Sequence, residues 1–193
     1  SNSDLVGSFP PIRELSMLEE IDVSFNSLTG LFPVNNTMLR RIDIRYNQIS
    51  SISSGGLLAF AGHQCLVGFF ASHNKISSFP SQVTNLSQLV ALDLSFNQLH
   101  STLPSDLSMM NSLMELHVTT NALFGSLPLF LPSLLTSMDL STNQFSGSIP
   151  TQWWRVATQS IQFLDISNNA LNGTFPWVIP SQMGSGSDMV FRA

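Results

Sequence analysis

The sequence predicts a solenoid of the α/β class: a curved array of stacked turns with one parallel β-sheet on its concave face. Three observations predict it. Seven segments of the 193-residue chain align on an asparagine, at Asn26, Asn47, Asn74, Asn97, Asn121, Asn143 and Asn169, with spacings of 21 to 27 residues. Self-similarity at a period of about 20–50 residues is the mark of a repeat architecture. Apolar side chains recur five and three places before each Asn and two places after it, as Leu92, Leu94 and Leu99 do around Asn97. Composition agrees: 43% of residues are hydrophobic and 10% charged, with 27 Leu, 31 Ser and 14 Asn. That is too apolar for a disordered polymer. It holds no run approaching the roughly 20 apolar residues of a membrane span.

Each unit opens on a short strand. Alternation over the positions five to three before the Asn is strand periodicity, so those two residues point inward and the one between them points out. No single unit can bury its apolar side alone, and neighbours must share one continuous core. The Asn ends the strand, and its inward amide is placed to bond backbone groups of adjacent turns that would otherwise be buried unpaired. Pro33, Pro80, Pro104, Pro128, Pro150 and Pro176 start the return legs, where a missing N–H does no harm. A half unit with Leu5, Gly7, Phe9 and Pro10 precedes the first Asn. Two links are longer, Ser53 to Gln64 and Gln152 to Ser160; extra residues map to loops or return legs. Trp153 and Trp154 are expected to cover core. After Pro176 the period stops, dividing the chain into an array over 1–176 and, over 177–193, a C-terminal tail or truncated end.

The pattern resembles the leucine-rich repeat, LxxLxLxxNxL, over nearly the whole chain. Five units end with an apolar–Pro pair, and four of these have Gly30, Gly125, Gly147 or Gly173 four places after the Asn. That ending, LxGxIP, looks like the plant-type subclass found in receptor-like proteins, receptor kinases and secreted inhibitors; similar repeats occur on some protist surface proteins. The units at Asn47 and Asn74 resemble the commoner subclass, so the array is mixed. The segment begins inside a repeat and lacks a signal peptide and the cysteine pairs that cap many arrays of this family. It therefore reads as part of a longer protein.

Chemistry of its own is not expected. A catalytic site needs a nucleophile beside a base, or paired carboxylates, in a closed pocket, and an open sheet excludes no water. No phosphate loop or nucleophile elbow is present. His63, Cys65 and His73 lack zinc spacing, and no cofactor is implied. The net charge of −5 argues against nucleic acid, which demands a basic stripe.

Recognition is the function the sequence supports. Solenoids usually bind with the concave face. The outward positions lie six, four, two and one places before each Asn. They gather Phe25, Tyr46, Phe70, His73 and Phe96 with Arg41 and Arg45, the residue types of binding hot spots. Asp43, Asp93 and His117 share the face. A ladder of five Asp four places before the Asn admits two readings, attraction of a basic partner or local bonding within the strand turn. The aromatics too admit two, partner contact or cover for the adjacent turn. The partner expected is a protein or peptide; the rivals are a glycan or cell-wall ligand, which aromatic faces also bind, and a structural surface coat without a ligand. Sequons at Asn35, Asn85 and Asn172 point to glycosylation and to an extracellular or cell-surface location.

Overall fold

The computed structural model describes residues 4–10, 12, 15–32, 38–52, 65–153, 156, 159–174 and 190–192. The strand predicted before each Asn forms in all seven units: β2 (Glu20–Asp22), β4 (Arg41–Asp43), β6 (Gly68–Phe70), β7 (Ala91–Asp93), β8 (Glu115–His117), β10 (Ser137–Asp139) and β12 (Phe163–Asp165). They make one all-parallel sheet in chain order, extended at its far edge by β14 (Val190–Arg192). The tail, which carries no repeat period, thus supplies an eighth strand to this long sheet. Register keeps equivalent residues side by side: Ile21 pairs Ile42, Ile42 pairs Phe69, Phe69 pairs Leu92, and so on through Leu116, Met138 and Leu164.

After the Asn, the chain turns into a second layer. Here β1 (Val6–Ser8), β3 (Ser27–Phe32) and β5 (Gln48–Ile52) pair in parallel, as do β9 (Phe124–Gly125), β11 (Gln144–Gly147) and β13 (Ala170–Leu171). Return legs carry short 3-10 helices at Ser81–Asn85 and Thr151–Trp153; little of the array is helical among the described residues. The core fills the space between these layers. Leu92, Leu94 and Leu99 of one unit, and Met138, Leu140 and Phe145 of another, are buried. Burying such a side chain stabilises by about 1.5–3 kcal/mol. Trp153 lies wholly in this core, and its indole N–H donates to the Pro128 carbonyl at 2.7 Å, as its burial requires. Trp154 is outside the described residues.

The aligned asparagines form a continuous ladder. The Asn97 Nδ2 donates to the Leu94 and Ser95 carbonyls of its own turn and to the Ala71 carbonyl of the turn before. Its Oδ1 accepts from the Ile76 N–H of that earlier turn. The same pattern recurs at Asn47, Asn74, Asn121, Asn143 and Asn169. Only an amide, with donors and an acceptor at one end of a short side chain, serves all these groups.

The residue before each Asn pays for the reversal of direction in backbone strain. Phe25, Tyr46, His73, Phe96, Thr120, Thr142 and Asn168 all have φ between 54° and 57°. This left-handed region costs a non-glycine residue roughly 1–2 kcal/mol, and the ladder bonds hold the turn against it. The turn also aims seven side chains in one direction along one rim of the long sheet.

Candidate recognition surface on the long sheet

The rim column brings four predicted residues together. The rings of Phe25, Tyr46, His73 and Phe96 stack in order, with centroids 4.4, 4.2 and 4.3 Å apart and planes within 12° of parallel. The strand spacing of about 4.7–4.9 Å brings rings on successive turns close to contact distance, and the shared φ makes them parallel. Phe25, Tyr46 and Phe96 remain 53%, 42% and 45% exposed, so the stack covers each ring only in part. The geometry shows the covering role: each ring covers its neighbour, and the outer edges remain open.

Phe70 does not join the stack. It lies four places before Asn74, in β6, and its ring sits beneath two cations. The Arg41 guanidinium carbon is 4.5 Å from the ring centroid and that of Arg45 is 5.5 Å away. Both arginines also pair with Asp43, through Nη2 to Oδ2 at 2.9 and 2.6 Å, and Arg45 adds an Nε bond to Oδ1 at 2.8 Å. Asp43 is 1% exposed and the arginine side chains 42% and 36%. The Asp43 bond pushes the Arg45 pKa further above its ordinary value, against the opposing effect of burial. The result is a braced platform of one ring and two guanidinium groups around a buried carboxylate.

Beside the platform is a cleft of about 330 Å³ lined by Glu20, Arg40, Arg41, Val67, Gly68, Phe70, Val90 and Ala91. Such a volume is at the lower end of ligand-site sizes. Gly68 makes room for it: a Cβ there would stand 2.8 Å from Phe70 Cε2, so glycine is what lets the ring lie back across β6. The sequence reading passed over Glu20, Gly68 and Ala91 as site residues. For Gly68 and Ala91 the signal is in the sequence, the two smallest side chains of their outward column falling on adjacent strands.

The Asp ladder is bonded locally. Asp22, Asp139 and Asp165 each accept, at Oδ1, both the N–H and the hydroxyl of the serine two places on. Asp93 accepts the Ser95 N–H in the same way. The Ser24 hydroxyl and N–H hold the Asp22 carboxyl below the ordinary carboxylate range, because they bond the charged form. Asp93 pairs in register with Phe70 on one side and His117 on the other. The His117 Nε2 instead meets Ser137 Oγ at 2.9 Å. Asn85 and Asn172 are exposed, and Asn85 stands on the 3-10 turn of a return leg; Asn35 and His63 are outside the described residues. Cys65 is a free, exposed thiol. Among the described residues, no group of three His, Cys, Asp or Glu side chains is arranged to hold a metal ion, and no helix is long and apolar enough to cross a membrane.

Comparison with known proteins supports the repeat reading. A family model for the Leucine Rich Repeat matches residues 88–110, 134–155 and 160–181; a second leucine-rich repeat model matches residues 35–61. Lumican of Gallus gallus is 42% identical over 91 residues, covering 46% of this chain and 26% of lumican. Receptor-like protein 54 of Arabidopsis thaliana is 26% identical over 88% of this chain and 18% of its own length. The chain thus spans about a quarter or less of these curated relatives. The Arabidopsis receptor kinase HAESA, solved with the peptide hormone IDA and the co-receptor SERK1, superposes with a TM-score of 0.80 at 31% identity, over 91% of this chain and 30% of that one. The plant peptide hormone receptor RGFR1, solved with RGF2, gives 0.67 at 27% identity, over 87% and 31%. The asparagine ladder, the in-register parallel sheet and these matches agree: the chain carries leucine-rich repeats, similar to those of plant receptor-like proteins and receptor kinases.

Proposed function

We propose that this chain is the recognition segment of a receptor-like protein at the cell surface, that its partner is a peptide or protein bound on the concave face, and that it carries out no chemistry itself. The observation that carries this reading is the cleft beside the Phe70 platform. It combines an apolar floor with fixed charged groups, and ordered, half-exposed aromatic and arginine side chains are the composition of binding hot spots. Arg41 and Arg45 are held by Asp43 before any partner arrives, so little side-chain freedom is lost on binding. The likeness to HAESA and RGFR1, each solved with a peptide hormone, supports a peptide as partner. We place Phe25, Arg41, Asp43, Arg45, Tyr46, Phe70, His73, Asp93, Phe96 and His117 on the binding face, with Arg41 and Phe70 lining the cleft itself. Glycans on Asn35, Asn85 and Asn172 fit the same surface location.

The geometry weighs against a glycan ligand on the ring column. Sugars stack on ring faces, and here most faces are spent on neighbouring rings at 4.2–4.4 Å. A test is to pan a displayed random peptide library against the 193-residue chain and measure the enriched peptides by surface plasmon resonance. Their affinity is expected to fall about ten-fold or more in Phe70→Ala and Tyr46→Ala and to hold in Gln98→Ala. Peptides indifferent to both sheet variants, or binding to a glycan array with no enriched peptide, would overturn the proposal.

A further inference from the structure

Of the 14 asparagines in the chain, Asn172 alone is followed by glycine. The repeat itself creates the pair. Four places past the ladder Asn, four units pass through the left-handed region, with φ of 78°, 84°, 82° and 87° at Gly30, Gly125, Gly147 and Gly173. Glycine enters that region without steric cost. The residue before it is free to vary, and is Thr29, Phe124 and Ser146 in three of these units and Asn172 in the fourth.

Asn172 and the nearby ladder residue stand in opposite surroundings. The Asn169 amide is held on every side: Nδ2 donates to the Leu140, Ile166 and Ser167 carbonyls at 3.0, 3.0 and 3.1 Å, and Oδ1 accepts the Phe145 N–H. Asn172, Gly173 and Thr174 are exposed. The Asn172 side-chain amide and the Gly173 N–H have no hydrogen-bond partner among the described residues. The space beside Gly173 is open as well, since a Cβ placed there would meet only Ser148 Cβ, at 3.6 Å, among the described residues. The Asn172 N–H donates to the Gly147 carbonyl at 2.9 Å, so the chain is anchored on the near side of the pair.

We propose that Asn172 is a site of spontaneous covalent modification, converting to aspartate and isoaspartate in the folded chain ahead of every other asparagine. The Gly173 backbone nitrogen attacks Asn172 Cγ. A nitrogen–Cγ bond forms, the Cγ–Nδ2 bond breaks, and Nδ2 leaves as ammonia with the proton shed by the Gly173 nitrogen. Water then opens the five-membered imide. Attack at Cγ gives aspartate; attack at the other carbonyl gives isoaspartate, with the main chain running through Cβ and Cγ. No oxidant or catalyst is consumed, and the step quickens as pH rises because the attacking nitrogen must lose its proton. A side chain on the following residue hinders that attack, as at Leu86 after Asn85 and Asn169 after Asn168. The product adds a negative charge and, as isoaspartate, a further backbone atom directly after the bond to Gly147. Asn172 also heads the sequon Asn172-Gly173-Thr174. A glycan on Nδ2 would occupy the departing nitrogen, so glycosylation and conversion exclude each other in a given molecule.

The test uses the 193-residue chain made in bacteria, without glycans, and incubated folded at neutral and mildly alkaline pH. Peptide mapping with fragmentation mass spectrometry reads the mass gained when an amide nitrogen becomes a hydroxyl, and an isoaspartate-specific methyltransferase labels the second product. Conversion is expected at Asn172 first, faster at the higher pH, with methyl label on the same peptide. Exposed turns open locally at a free-energy cost near zero, so the rate in the folded chain is expected within about ten-fold of that in the urea-unfolded chain. Gly173→Ala is expected to slow conversion in the folded and the unfolded chain alike; the unfolded comparison holds even if the variant folds poorly at its positive φ. Conversion in urea with none in the folded chain, or earlier conversion at Asn85, Asn168 or a ladder residue, overturns the inference. Neither result bears on peptide binding at the Phe70 cleft.

Discussion

Removing one rung of the asparagine ladder tests the account of how the array is held together. In Asn74→Ala, four bonds vanish at once: the Nδ2 bonds to the Ile44, Ala71 and Ser72 carbonyls, at 2.8, 3.1 and 3.3 Å, and the Ile49 N–H bond to Oδ1 at 2.9 Å. The three carbonyls are not stranded. Ile44 O keeps Asn47 Nδ2, Ala71 O keeps Asn97 Nδ2 and Ser72 O keeps the Tyr46 N–H. The Ile49 N–H has no second acceptor among the described residues, and Ile49 is 0% exposed, so water does not replace the lost oxygen. An orphaned buried donor costs about 1–3 kcal/mol, and that is the expected loss. Asn26→Ala is the internal control. It frees the Leu5 N–H, but Leu5 is 47% exposed and solvent takes over, so the loss is expected to stay within about 1 kcal/mol. Asn74→Asp is expected to be worse than Asn74→Ala, because a buried carboxylate would face three carbonyl oxygens with nothing to donate. Urea denaturation followed by circular dichroism gives all three values. Equal losses at Asn74 and Asn26, or a tolerated Asn74→Asp, would refute the ladder argument.

Other consequences follow from the same geometry. Tyr46→Leu breaks two ring contacts, at 4.4 and 4.2 Å, each worth about 0.5–1.5 kcal/mol; a lower thermal midpoint is expected, with a loss larger than that of Phe25→Leu, which breaks one. Gly68→Ala drives its Cβ to within 2.8 Å of Phe70 Cε2 and is expected to swing the ring out of the cleft; peptide affinity should fall while the melting point, governed by the core beneath, barely moves. Ser24→Ala removes the main cause of the lowered Asp22 pKa. The native carboxyl binds its proton less readily than the unfolded one, so its stabilising contribution is present above the ordinary Asp range and disappears as pH falls through the lower native value. In NMR titration the Asp22 midpoint is expected to rise towards the ordinary value in Ser24→Ala, and an unchanged midpoint would show that another group holds it down. Trp153→Phe leaves the Pro128 carbonyl without its 2.7 Å donor and is expected to cost about 1–3 kcal/mol by the same urea assay.

Much of this architecture was legible in the amino-acid sequence, and the reason is periodicity. A column of Asn at one offset, with Leu, Ile and Phe at three others, leaves one way to stack seven similar turns, because each turn alone exposes its apolar side and its backbone donors. The ladder, the buried core columns and the local bonding of the Asp column are all near-neighbour consequences of the repeat, and repetition makes such consequences readable. The outward columns could also be written down residue by residue, which located the aromatic and arginine cluster.

What those outward side chains do with one another depends on backbone angles and on neighbours that no single column reveals. Phe25, Tyr46, His73 and Phe96 lie parallel because four turns share a φ near 55°, whereas Phe70, from another column, lies across Gly68 beneath Arg41 and Arg45. The cleft exists because the gaps left by two small residues, Gly68 and Ala91, fall side by side on paired strands. The strand Val190–Arg192 has no repeat signal at all; it joins the sheet because β12 offers an edge of unpaired backbone groups, and a backbone edge selects for position and not for side chains. Local, repeated interactions were set by sequence alone, while the meeting of side chains from different columns, and of the tail with the sheet edge, was decided only when the turns stacked.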